Sequence, residues 1–258
     1  MTPTDLPSAL WLVRHGESAG NVARERAYAS GAERIENEAA REVEVPLSAL
    51  GERQAAALGR WIGGLPEAER PEVVLTSPYL RARRTAEIVL ATARLDCAPI
   101  VDERLREREL GVFDRLTRLG IEKLFPQEAA QRRAVGKFYY RPPGGESWCD
   151  VILRLRSVVE SLRSEQRGQR VLVACHSAVV LCFRCLLERM TEEQILAIDA
   201  AADVANCSVT AYQLSGGALE LRRFNFVAPL NFVAPLVAPL KEEGAPVTVE
   251  PDASIPPR

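Results

Sequence analysis

Leu10-Trp-Leu-Val-Arg-His-Gly-Glu-Ser-Ala-Gly-Asn21 runs from an apolar segment straight into a polar turn, and Val171-Leu-Val-Ala-Cys-His-Ser177 repeats the arrangement. A short β-favouring apolar run, bounded at once by a turn, is the pattern of a buried strand in a parallel sheet. In both segments the residue that follows the run is a histidine, and His15 and His176 are the two histidines of the chain. Ligands of open α/β sheets gather at the carboxyl ends of strands. If these two strands are parallel neighbours, both imidazoles meet at one spot.

Further apolar runs alternate with amphipathic stretches, which predicts an α/β fold: a three-layer α/β/α sandwich on a mostly parallel, mixed sheet. Strands are expected at residues 10–13, 72–76, 171–174, 208–214 and 218–224, with a short one near Ile100. Helices are expected at 48–62, 78–93, 147–164 and 178–189. Ser48 suits the N-cap of one, and Ser147 with Asp150 the start of another. Ser215-Gly216-Gly217 separates the last two strands and predicts a hairpin at a sheet edge.

The 258 residues, 47% of them hydrophobic, suffice for one domain with a substantial core. Lysine and arginine number 33 against 35 acidic residues. That balance argues against a nucleic-acid or anionic-membrane partner. Six cysteines in a chain of this length do not form a disulfide scaffold, and Cys182-Phe-Arg-Cys185 lacks the second pair a zinc site needs. No lysine or arginine precedes the first apolar run, as an export signal would require, so a cytoplasmic protein is expected. From Asn225 the sequence reads NFVAPL twice and then VAPL, and prolines continue to the end. A catalytic domain at 1–226 and a proline-rich, extended tail at 227–258 are therefore expected.

Arg14 offers a planar fork for a phosphate or carboxylate, and Gly16 lets the chain turn beside His15. An imidazole with one nitrogen pinned by a carbonyl leaves the other free to attack. Arg81 stands early in the helix after the second strand, able to reach over the strand ends, whereas Arg83 and Arg84 face solvent. His176 and Ser177 open a helix, where free N–H groups favour an anion.

Taken together, Arg14-His15-Gly16-Glu17 with Asn21, Ser77-Pro78 through Arg81 to Thr85-Ala86, Glu107 in Leu-Arg-Glu-Arg-Glu-Leu-Gly111, Gly145-Glu146-Ser147 and His176 resemble the histidine phosphatase superfamily, which includes the cofactor-dependent phosphoglycerate mutases. The resemblance covers roughly residues 10–214, with an extra stretch at 28–44. It implies that His15 takes the phosphoryl group, that Arg14, Asn21, Arg81 and His176 hold its oxygens with Ser177 beside them, and that Glu107 protonates the leaving oxygen. Glu109 is the competing acid; Glu107 matches the family spacing to Gly111. A protonated His176 is expected to add to the charge of the two arginines, with no metal and no cofactor.

Residues 138–182 are most similar to the fructose-2,6-bisphosphatase branch. Ser177, Leu181 and Trp148 nevertheless replace that branch's glutamine, arginine and tyrosine. The interval from Glu107 to His176 is shorter than in the mutases, and a shorter lid favours hydrolysis. The lid, about 111–145, is rich in arginine and lysine. Its Arg118, Arg133 and Lys137 are candidates to attract a second anionic group, against a solvated helical face as the plain reading. The expectation is a phosphatase acting on a small phosphate ester through a phosphohistidine on His15, with a homodimer left open. A phosphoglycerate mutase-like phosphotransferase and a catalytically weak phosphate-binding regulatory protein are the alternatives.

Overall fold

In the computed structural model, which describes residues 5–227, the two histidine-bearing segments are adjacent central strands, β1 (Ala9–Arg14) and β4 (Arg170–Cys175). They pair in parallel with Leu12 opposite Val173 and Arg14 opposite Cys175. β2 (Val73–Thr76) flanks β4 in parallel, and the two-residue β3 (Ile100–Val101) closes that edge. On the other side β5 (Val209–Ser215) runs antiparallel to β1, and β6 (Ala218–Phe226) forms the expected hairpin with it. The order is β3-β2-β4-β1-β5-β6. Gly216 and Gly217 both take positive φ, as a two-residue turn matched to strand twist demands.

Strand alternation divides the core between two faces. Leu10, Leu12, Val171, Val173 and Cys175 face one side with Leu155, Val158, Val179 and Val180. These come from α6 (Trp148–Glu165) and α7 (Ser177–Leu187). Val13, Leu172 and Ala174 face the other side with Leu58, Ile62, Val89 and Leu90. Those belong to α2 (Ala49–Gly63) and α3 (Leu80–Ala93). Each fully buried leucine or valine contributes about 1.5–3 kcal/mol relative to an exposed one, so a one-residue slip of β1 or β4 would be heavily penalised. The caps fall where expected: Ser48 accepts from the Gly51 amide, and Ser147 and Asp150 form a capping box.

Four helices were not expected from sequence: α1 (Ala19–Ser30), α4 (Arg118–Leu124), α5 (Pro126–Val135) and α8 (Glu192–Ala201). α4 and α5 lie in the lid, which carries its own apolar cluster of Phe113, Leu116, Ile121, Ala129 and Tyr140. α3 begins at Leu80 rather than at residue 78, which puts Arg81 in the first turn. The first NFVAPL copy begins inside the fold, since Phe226 ends β6 and packs on Trp61 with ring centres 5.7 Å apart. The rest of the repeats and the expected tail lie outside the described residues. Among the described residues no helix is long and apolar enough to cross a membrane.

Candidate active site

His15 leaves β1 with its backbone N–H still bonded to the Cys175 carbonyl, so the sheet register itself sets its position. The turn after it packs against the first turn of α2 too closely for side chains: a Cβ on Gly16 would meet the Gly51 oxygen at 2.5 Å. Gly16 N–H donates to the Thr85 hydroxyl at 3.0 Å, and Glu17 N–H to the Gln54 side chain at 2.8 Å. The imidazole is almost wholly buried. Its Nδ1 lies 2.7 Å from the Gly16 carbonyl oxygen, which can only accept, so Nδ1 carries the proton and Nε2 presents its lone pair. Burial, then Arg81 and Arg14, hold the imidazolium pKa well below its usual value. This is the neutral, one-sided imidazole a nucleophile requires.

His176, fully buried, stands beside it with ring centres 5.1 Å apart. Its Nε2 meets the Ser77 hydroxyl at 2.7 Å, and the Tyr79 ring packs edge-on at 5.2 Å. Burial first, and then Arg81, His15 and Arg14, press the pKa of His176 well below the ordinary histidine value, so it is neutral in the empty site. Positive charge there comes from Arg14 and Arg81.

Arg81 is buried and its Nε donates to His15 Nε2 at 3.2 Å. Its Nη1 bonds the Glu42 carbonyl at 2.9 Å and the Glu42 carboxylate at 3.0 Å. Arg14 donates through Nη1 to the Val204 carbonyl, while its Nε is buried without a protein partner. His176 Nδ1 is a second such orphan. Buried polar groups are rarely left unpaired, and two beside His15 fit a site that expects oxygen ligands. The helix starts agree. α2, α6 and α8 begin on serine or threonine side-chain caps, whereas α3 and α7, which open at the strand ends, have no side-chain cap. Uncapped first-turn N–H groups of this kind suit an anion, although in α3 the Ala82 N–H is already bonded to the Tyr79 carbonyl at 2.9 Å.

Glu107 supplies the carboxyl. Its Oε1 accepts from the Arg108 N–H at 2.9 Å, and Oε2 lies 4.0 Å from His176 Nδ1. Burial raises its pKa, opposed by the Arg108 N–H bond and by Arg81, Arg14 and Arg154. A carboxyl so raised is suited to carry a proton to a departing oxygen. Glu109 is turned to the Tyr79 hydroxyl, which donates to it at 2.8 Å. Arg154 holds the Glu107 loop from behind, donating to the Glu107 carbonyl at 3.3 Å and to Glu146 at 2.9 Å.

The remaining expected residues are placed less directly. Asn21 sits in the first turn of α1, where its Oδ1 accepts from the Ser18 N–H and hydroxyl and from Asn206; only its amide N–H groups remain for a phosphate. Ser177 opens α7 beside His176. Of the lid cations, Arg118 pairs with Glu122, Lys137 pairs with Asp199 at 2.5 Å, and Arg133 is exposed on α5. Sequence reasoning missed Ser77, Tyr79, Glu42 and Asn206. Ser77 was legible as the polar residue that ends β2, and Asn206, which donates to the His15 carbonyl at 2.9 Å, as the turn residue just ahead of β5. Nothing local marks Glu42. Among the described residues, no group of three or more histidine, cysteine or carboxylate side chains is arranged to hold a metal ion.

The chain matches the family profile of the histidine phosphatase superfamily (branch 1) over residues 10–227. It is similar to a Photorhabdus laumondii protein named probable phosphoglycerate mutase GpmB, 33% identical over 67% of this chain and 71% of that protein. A Schizosaccharomyces pombe protein named probable fructose-2,6-bisphosphatase C732.02c is 31% identical over 72% of this chain, which spans only 40% of that protein's length. Among solved structures, Bacillus stearothermophilus YhfR aligns with a TM-score of 0.68 at 27% identity, covering 86% of this chain and 98% of its own. The mycobacterial glucosyl-3-phosphoglycerate phosphatase Rv2419c aligns with a TM-score of 0.66 at 25% identity, covering 85% and 99%.

Proposed function

The chain belongs to the histidine phosphatase superfamily, and we propose that it is a metal-independent phosphatase that hydrolyses small phosphate monoesters through a phosphohistidine on His15. The observation that carries this reading is the His15 imidazole itself: Nδ1 pinned to the Gly16 carbonyl, the Nε2 lone pair turned to Arg81, whose Nε donates to it at 3.2 Å, and the ring kept neutral by burial and two arginines. Phosphoryl transfer asks a protein mainly for in-line positioning and for charge that matches the moving oxygens. Arg14, Arg81 and the open ends of α3 and α7 supply that charge.

In this mechanism Nε2 of His15 attacks phosphorus as the P–O bond to the alcohol breaks, and Glu107 gives its proton to the departing oxygen. Glu107, now a carboxylate, then takes a proton from water as that water attacks the phosphohistidine, returning His15 and releasing inorganic phosphate. His176, neutral when the site is empty, gains a reason to take a proton once a phosphate dianion lies beside the two rings. The six cysteines are all unpaired, which suits a reducing compartment such as the cytoplasm.

The test is turnover of p-nitrophenyl phosphate in EDTA by the wild-type chain and by His15→Ala, with acid-labile phosphate on the protein trapped by rapid quench. Metal-independent hydrolysis that falls at least a thousandfold in the variant, with the trapped phosphate lost, is expected. Hydrolysis surviving His15→Ala overturns the assignment. Transfer of phosphate between phosphoglycerates in place of hydrolysis overturns the phosphatase reading in favour of a mutase.

A further inference from the structure

Glu42 belongs to none of the motifs that carry the site, yet it is bound to the site's most buried cation. It lies in a short 3-10 turn within the 28–44 stretch and meets Arg81 twice, through its own carbonyl and its carboxylate. Nη1 of Arg81 is thereby engaged by Glu42 and Nε by His15 Nε2, and a phosphoryl group arriving at His15 takes over the Nε–Nη2 edge from the imidazole while Nη1 stays on Glu42. Glu42 and a bound phosphate are then two anions on opposite edges of one guanidinium.

Little spare positive charge stands nearby to separate them. The charged groups facing Glu42 are Arg81 from α3, Glu107 from the loop after β3, and Asp114 and Arg115 from the lid. Asp114 lies against Arg115 itself at 3.9 Å. Burial raises the Glu42 pKa, and Asp114 and Glu107 add to the rise against the pull of the two arginines. Three carboxylates, Glu42, Asp114 and Glu107, thus share this flank with Arg81 and Arg115, which leaves little net attraction there for a further negative charge.

We propose that Glu42 is a specificity-determining residue: by sharing Arg81 with the bound phosphoryl group, it disfavours substrates that carry a second anionic group next to the ester and selects monophosphates of neutral or cationic alcohols. This deepens the phosphatase reading and rests on it. Two corollaries follow. Inorganic phosphate binds with uptake of a proton by Glu42, and removing the carboxylate's charge strengthens phosphate binding rather than weakening it.

The test uses Glu42→Gln, which keeps shape and polarity, and Glu42→Ala as a second variant, both with intact melting transitions. One arm compares kcat/KM for glycerol 3-phosphate and 3-phosphoglycerate, which differ in a hydroxymethyl against a carboxylate. The wild-type chain should prefer glycerol 3-phosphate. Each variant should shift the ratio on the order of tenfold toward phosphoglycerate, about the effect of one unit charge at roughly 10 Å in an effective dielectric near 20. The other arm measures inorganic phosphate affinity by calorimetry from pH 5 to 8 and needs no turnover. The variants should bind about tenfold more tightly at pH 8, with the advantage shrinking as the pH falls and the native carboxylate takes up a proton. A substrate ratio and an affinity both unchanged within twofold, in chains that still hydrolyse phosphate esters, overturn the role of Glu42 alone. Tighter binding in a chain that hydrolyses nothing would uphold the shared guanidinium and sink the phosphatase reading.

Discussion

Replacing Arg81 by alanine separates two things this side chain does. Its guanidinium touches His15 Nε2 at 3.2 Å, so the charge centre stands roughly 4–5 Å from a phosphorus bonded or about to bond there. At an effective dielectric near 20, one unit charge at that distance is worth about 3–4 kcal/mol. At about 1.4 kcal/mol per factor of ten, kcat/KM should fall roughly 10^2–10^3-fold. The second effect is on protonation. Arg81 is the largest contributor after burial to the lowered His15 pKa. Removing a cation makes the imidazole easier to protonate, so its pKa rises, and the protonated ring cannot attack. The acid limb of the kcat/KM profile should therefore move to higher pH, and the loss should be greater near pH 6 than near pH 8. Arg81→Lys tests the partition: a point charge should return the limb toward its native position without restoring the full rate, because the two-oxygen fork is gone. Steady-state profiles with p-nitrophenyl phosphate measure both effects. A loss below tenfold, or an acid limb that stays put or moves down in Arg81→Ala, would refute this account of the site.

Glu107→Gln keeps a hydrogen-bond donor but has no proton to give, so kcat/KM for an alkyl phosphate, which reports transfer to His15, should drop about 10^2–10^4-fold, while kcat/KM for p-nitrophenyl phosphate, whose leaving group departs as a stable phenolate, loses less than tenfold and its kcat falls with the lost base. The basic limb of the alkyl profile should vanish with it; the same pattern in Glu109→Gln instead would exchange the two roles. Gly51→Ala tests the support beneath His15, since a Cβ there would meet the Glu17 carbonyl oxygen at 2.0 Å. Forcing these backbones apart should cost roughly 1–3 kcal/mol and lower the melting temperature by several degrees; a wild-type melt would show that the contact is not needed.

The central sheet was legible because β1 and β4 are buried on both faces. Such strands read as uninterrupted apolar runs, and a polar residue at the end of each marks where the sheet stops. The placement of His15 beside His176 followed from that register and from no property of the histidines. α4 and α5 escaped for the opposite reason. They bury only a few side chains against a small cluster under the lid, so their sequences have little periodicity to detect. α1 was hidden by its job: the start of a helix that serves the site is built of Ser18, Gly20 and Asn21, residues that read locally as a loop. The first repeat starts inside the domain, where the Asn225 side chain pins the 203–205 turn.

The charge state of the site lies beyond what a motif can convey. A histidine at a helix N-terminus between arginines can be argued either way: a waiting phosphate favours the imidazolium, and the arginines oppose it. Only the geometry decides which is present before substrate arrives. With His176 fully buried and within the field of Arg81 and Arg14, desolvation and like charge act in the same direction, and the ring is neutral. The consequence reaches function. A site that held two arginines and an imidazolium when empty would retain inorganic phosphate tightly and release it slowly. One that takes up its extra proton only with the anion gives part of that attraction back each time the product leaves, and Glu42 on the far edge of Arg81 pushes in the same direction. In the proposed mechanism this keeps affinity for the product low where affinity for the transition state must be high, and that difference is what turnover requires.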